Sequence, residues 1–272
     1  MGAAWRTVQK GARDLTDAAI VVCIAVVVAA FVAEFADSAL GMGYGTILAP
    51  VLIMLGFDPI RVVQGVLASE LVTGLLAGAS HHAFGNVRFW NRGSTRALRV
   101  AALLAGAGAF GTVAAVLIAV SIPKMWLKLY IATLVLGIGA TILTTMRKSF
   151  RFSWAKVGIL GLVASFNKGM SGGGYGPLVT GGQFLAGVEG KGTVGITSLA
   201  EGATCAVALA TFALTRGGLD LSLALWFLAG AVPAVPLAAW AVGKIDARRM
   251  RLVVGVATAI LGATMLAQTL LK

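Results

Sequence analysis

Long apolar runs, separated by short polar or basic stretches, fill almost the whole chain of 272 residues. They cover approximately 18–38, 44–56, 60–83, 97–121, 125–146, 152–166, 177–187, 191–214, 220–243 and 250–271. A helix crossing a hydrocarbon core of ~30 Å needs ~20 apolar residues. The pattern therefore predicts an all-α, polytopic membrane protein that forms one integral membrane domain. Turns such as Phe57-Asp58-Pro59 and Ser121-Ile122-Pro123 punctuate the runs. So do basic loops: Arg88, Arg92, Arg96 and Arg99; Arg147, Lys148, Arg151 and Lys156; Lys244, Arg248, Arg249 and Arg251. A basic N-terminal segment at 1–17, with Arg6, Lys10 and Arg13, precedes the first run. It resembles a signal peptide, but the run continues without a clear small-residue cleavage site and is read as retained.

The pattern repeats at an offset of 131 residues, dividing the chain into a first repeat at 18–146 and a second at 152–271. Phe35 matches Phe166, and Gly41, Gly43, Tyr44 and Gly45 match Gly172, Gly174, Tyr175 and Gly176. Glu70 matches Glu201 and Thr73 matches Thr204 in the same register. A shared G-x-G-Y-G together with a rare intramembrane Glu is hard to obtain by chance from Gly/Ala-rich sequence. Each glycine motif interrupts an apolar segment. If the two arms around it form a hairpin, each half makes an odd number of crossings and the copies are inverted. If the segment crosses once, they are parallel. Charge does not decide, because both topologies place 13 basic residues inside and 8 outside. Length favours inversion: about 39 helical residues would span ~58 Å, far more than one crossing needs. Broken elements entering from opposite faces are also a recurrent transporter architecture.

Composition agrees with the membrane reading. Hydrophobic residues make up 58% and charged residues 12%, against ~25% charged in soluble domains. The 36 glycines suit close helix packing. The net charge of +12 belongs to orientation-setting loops rather than to a nucleic-acid surface. Cys23 and Cys205 both lie in apolar runs, so neither a disulfide nor a metal site is expected.

The candidate chemistry sits at the glycine breaks. Asn167-Lys168-Gly169-Met170-Ser171-Gly172-Gly173-Gly174-Tyr175-Gly176-Pro177 cannot form one continuous helix. Pro177 suits the first turn of a new helix, whose free N–H groups and dipole favour an anion. The expected substrate-binding residues are Gly41, Gly43, Tyr44, Gly45, Asn167, Lys168, Ser171, Gly172, Gly173, Gly174, Tyr175 and Gly176. Close packing through glycines is the competing reading. Lys168, the counterpart of Asp37, either finds a partner at this depth (a substrate anion, a carboxylate or carbonyls) or snorkels to the interface from a shallow hairpin tip. Glu70 and Glu201 fall near the middle of ~24-residue helices, either as proton-coupling carboxylates or as braces for the glycine loops. His81 and His82, at a helix end, read as interfacial. Gly169-Met170-Ser171-Gly172 matches the motif of intramembrane serine proteases, but no histidine base follows Ser171, and no catalytic residue is assigned. No Walker motif supports ATP-driven transport. A passive anion channel remains an alternative to a transporter.

The two glycine motifs half a chain apart, the second followed by Pro, resemble the sulfite exporter TauE/SafE family. Gly181-Gly182-Gln183 and Glu189-Gly190-Lys191 extend the likeness, which covers roughly 18–271. Met42 departs from the triple-glycine pattern of the second copy. Membership implies export of sulfite, sulfonate or a related organosulfur anion across a bacterial inner membrane. It implies partners limited to that anion, the lipid bilayer and possible coupling protons, with no cofactor.

Overall fold

The computed structural model describes residues 2–90, 96–144, 153–185, 192–242, 244 and 246–271. Arg92, Arg147, Lys148, Arg151 and the Glu189-Gly190-Lys191 stretch lie outside them. Among the described residues ten helices follow one another: α1 (Gly2–Leu40), α2 (Tyr44–Met54), α3 (Pro59–Ala83), α4 (Arg96–Ser121), α5 (Lys124–Thr144), α6 (Trp154–Ser171), α7 (Tyr175–Leu185), α8 (Gly192–Arg216), α9 (Ala224–Ala241) and α10 (Ala247–Leu270). Seven of them are long and apolar enough to cross a membrane. α2 and α7 have only 11 residues each, about half a crossing at 1.5 Å per residue. The bundle turns large apolar side chains outward, as at Phe110, Leu225 and Val253, and buries carboxylates and an ammonium within. A soluble fold would do the reverse; here lipid is the solvent.

Local signals set the element ends. The Asp58 carboxylate accepts from the Ile60 and Arg61 amides at 3.0 and 3.3 Å, with Pro59 opening α3. Partial burial works against its charge, but the bonds from Lys124 and these amides hold the Asp58 carboxyl below the usual range. α6 ends on Gly172 in the left-handed conformation, φ 72°, with its N–H bonded back to the Lys168 carbonyl.

Equivalent helices run antiparallel. Arg61, in the first turn of α3, pairs with Asp220 beyond the end of α8 at 3.0 Å. Further along, Gly74 lies against Ser198 and Gly202, and His81 against Gly195 at the start of α8. α5 and α10 cross likewise, with Leu136 at Gly262, Gly139 at Ala259 and Leu143 at Gly255. In both pairs a missing Cβ lets the backbones approach. Charge counting leaves inverted and parallel halves equal; this packing has the geometry of inverted ones.

Both broken segments fold back. α7 returns along α6, placing Gly182 against Leu160, and Gln183 then reaches Thr193 and Thr197 at the start of α8. α1 ends beside the last turns of α3, where His81 bonds the Ser38 carbonyl. α2 leads through Phe57 and Asp58 to the opposite end of α3, so it must retrace the direction of α1. The two hairpins thus enter from opposite faces, one marked by Asp58 and the other by Asn86. Seen this way, each half makes one hairpin and three crossings, which leaves Ile20 and Leu270 at the Asp58 face.

Candidate functional site

The hairpin tips meet at the centre. A Cβ on Gly45 would overlap the Gly172 carbonyl, and one on Gly173 would lie 2.7 Å from the Gly45 carbonyl carbon. A Cβ on Gly176 would lie 2.5 Å from the Gly41 carbonyl oxygen. The Gly45–Gly172 contact maps onto Gly176–Gly41 under the offset of 131, so the crossing is symmetric about itself. Gly43 and Gly174 adopt positive φ of 136° and 81°, which only glycine takes without strain. The Thr180 hydroxyl donates to the Gly41 carbonyl at 2.8 Å and pins the tips together. Close packing is therefore one task of these glycines in the state described here.

Around the crossing lies a buried ionic cluster. Lys168 donates to Glu201 at 2.7 Å and also to Glu70. Lys168 has no exposed surface, and the two glutamates are 3% and 4% exposed. The two sequence-selected carboxylates and the sequence-selected lysine thus form one triad drawn from α3, α6 and α8. What the carboxylates meet is the ammonium. The acid at a glycine break is Asp37, whose Oδ1 accepts from the Tyr44 amide at 3.3 Å, at the start of α2.

The offset relates most of the cluster. Lys168 faces Glu70; the symmetric image of that contact is Asp37 facing Glu201, an acid against an acid. Lys168 offsets both by reaching Glu201 as well. Glu34 stands where the second half has Ser165. Thr73 lies near Glu34, as Thr204 lies 3.4 Å from Ser165. The Tyr44 hydroxyl shares a 2.8 Å hydrogen bond with Ser69. At the place equivalent to Ser69 the second half carries Ala200, and the Tyr175 hydroxyl, buried beside Thr204, has no partner at hydrogen-bond geometry.

Asn167 accepts from the Tyr130 hydroxyl. Ser171 donates to the Asn167 carbonyl at 2.8 Å and accepts from the Gly173 amide at 3.1 Å, so its hydroxyl shapes the turn. His81, in the last turn of α3 near the Asn86 face, is buried inside the protein rather than exposed there. Its Nε2 lies 2.7 Å from the Ser38 carbonyl and its Nδ1 3.1 Å from the Asn86 amide nitrogen, which also donates to the Ala239 carbonyl. Both donors of Asn86 are used, so His81 accepts at Nδ1 and donates at Nε2. The residues that sequence reasoning missed are Glu34 and its neighbour Ser38. Glu34 sits inside an apolar run, and a carboxylate at that depth was the available signal.

The comparisons with known proteins agree with this architecture. The sequence model of the family described as "Sulfite exporter TauE/SafE" matches residues 26–265. The chain is 28% identical over 237 residues to the "Probable membrane transporter protein YtnM" of Bacillus subtilis (strain 168), covering 82% of this chain and 75% of that one. No solved structure matches it. The chain belongs to the sulfite exporter TauE/SafE family of membrane transporters.

Proposed function

We propose that the protein is a proton-coupled secondary transporter that exports sulfite, a sulfonate or a related small organosulfur anion across a bacterial inner membrane. The observation that carries this reading is Lys168 held between Glu70 and Glu201 at the crossing of the hairpin tips. A lone ammonium at this depth suits an anion, yet two carboxylates already occupy it. An oxyanion gains Lys168 only if a carboxylate lets go, and a carboxylate that lets go inside the protein is best neutralised by a proton. Anion and proton are thereby linked at one residue. The Tyr175 hydroxyl, the amides opening α7 and the glycine backbone at 172–176 supply donors beside it. Gly41, Gly43, Tyr44 and Gly45 shape the opposite wall, and Asn167 and Ser171 hold the second break in place. The substrate class follows the name of the family model.

The segments joining helices at the Asn86 face carry 13 basic residues, against 8 in the joining segments and two termini at the Asp58 face, which favours a cytoplasmic Asn86 face. A single cysteine at Lys244 should then react with an impermeant maleimide in inside-out vesicles but not in intact cells. The reverse result refutes this orientation. Function is tested by radiolabelled sulfite flux in proteoliposomes, with sulfate and chloride as competitors. Saturable flux above protein-free vesicles, inhibited by sulfonates more than by chloride, supports the reading. Non-saturable, chloride-competed flux supports a passive anion channel.

A further inference from the structure

Four carboxylates, Glu34, Asp37, Glu70 and Glu201, share the buried centre with one ammonium, Lys168. Fully ionised, this group would carry three uncompensated negative charges in a place without bulk water. Glu70 and Glu201 have Lys168, and Asp37 has the Tyr44 amide. Glu34 is different. Its Oε1 accepts from the Ser38 hydroxyl at 2.8 Å, while its Oε2, in a residue 2% exposed, has no partner at hydrogen-bond geometry, the Thr73 hydroxyl being the nearby polar group of α3. The groups facing Glu34 are Asp37 on its own helix, Glu201 from α8, Thr73 from α3 and Tyr44 from α2. None of these is a cation. A second buried group left open in the same cluster is the Tyr175 hydroxyl, which faces Glu201.

We propose that Glu34 is a proton-binding residue of the transport site. A proton added at Oε2 turns an acceptor-only oxygen into an O–H donor aimed at the neighbouring oxygens. Oε1 keeps its bond from Ser38. The net charge of the cluster falls by one, and nothing else is made or broken. The donor to Oε1 is itself held in place: Asn86 bonds His81, and His81 bonds the backbone carbonyl of Ser38, whose hydroxyl bonds Glu34. A metal cation is the less suitable occupant, because among the described residues no three His, Cys, Asp or Glu side chains converge as a metal site would require. The second half has Ser165 where the first has Glu34, and Gly169 where it has Ser38. The offset thus gives this proton site to one hairpin alone.

This inference rests on the proton-coupled reading for its role, but its test requires no substrate. The measurement is pH-difference infrared spectroscopy of the purified protein in liposomes, following the C=O stretch of protonated carboxyls. Wild type should show a titrating component that is absent in Glu34→Gln, shifted in Ser38→Ala and retained in Asp37→Asn. Ser38→Ala removes the donor to Oε1 without touching the carboxyl, so it stands in if Glu34→Gln does not fold. A titrating band that is unchanged in both Glu34→Gln and Ser38→Ala, or one that disappears in Asp37→Asn instead, overturns the proposal. Loss of sulfite flux with this band intact would count against the transport reading alone.

Discussion

Asp37 and Lys168 occupy the same place in the two halves, and each faces the central glutamate of the other half. Opposite charges thus stand at positions related by the 131-residue offset within one buried crossing. A single ammonium there serves Glu70 and Glu201 together.

Removing that ammonium should be costly. Lys168→Met leaves two carboxylates buried without a counter-charge, and breaking a buried ion pair by deleting one partner costs about 3–5 kcal/mol. A large drop in melting temperature without substrate is expected. Adding Glu70→Gln and Glu201→Gln to Lys168→Met should recover much of it, because the triple variant buries no unpaired charge there. A thermal-shift series in detergent measures this. If Lys168→Met melts like wild type, the triad contributes no stability.

The glycines divide into two classes. Gly45→Ala and Gly173→Ala push a methyl into the opposite hairpin backbone, so they should prevent correct folding or abolish transport. Gly174→Val adds strain at φ 81° and crowds Ile138, 3.0 Å from its Cβ, and should abolish flux. Gly106→Ala and Gly137→Ala meet open space on α4 and α5 and should be neutral or slightly stabilising, by up to about 1 kcal/mol. Expression, gel-filtration profile and sulfite flux of the five variants test this. Wild-type behaviour of Gly45→Ala would contradict the crossing.

The two tyrosines should separate stability from function. Tyr44→Phe breaks the bond to Ser69 and should cost about 0.5–1.5 kcal/mol. Tyr175→Phe removes a hydroxyl that has no partner, so the substrate-free protein should melt as wild type or higher. On the proposed function, which offers this hydroxyl to the anion, its sulfite KM should nevertheless rise several-fold. Unchanged KM with reduced stability would place Tyr175 in the scaffold instead.

Much of this was legible in the sequence. Each of the ten apolar runs corresponds to a helix, and for seven of them length and hydropathy suffice to mark a membrane span. The 131-residue offset picked out Glu70, Glu201 and both breaks. It could not tell whether Lys168 meets an anion or a carboxylate, since that depends on how α3, α6 and α8 converge. Inversion lay beyond charge counting and emerges from contacts such as Arg61 with Asp220. Glu34 escaped notice because its counterpart is Ser165, so a search for shared residues passes over it.

The central claim is that proton and anion are coupled through Lys168 and its two carboxylates. Its most direct test is sulfite accumulation in proteoliposomes under an imposed pH gradient, for wild type, Glu70→Gln and Glu201→Gln, with protein-free vesicles subtracted. The account predicts that wild type concentrates sulfite above equilibrium only while the gradient lasts, and that each Gln variant still equilibrates sulfite but does not concentrate it. Equilibration without accumulation in wild type, or full gradient-driven accumulation in both Gln variants, would contradict it.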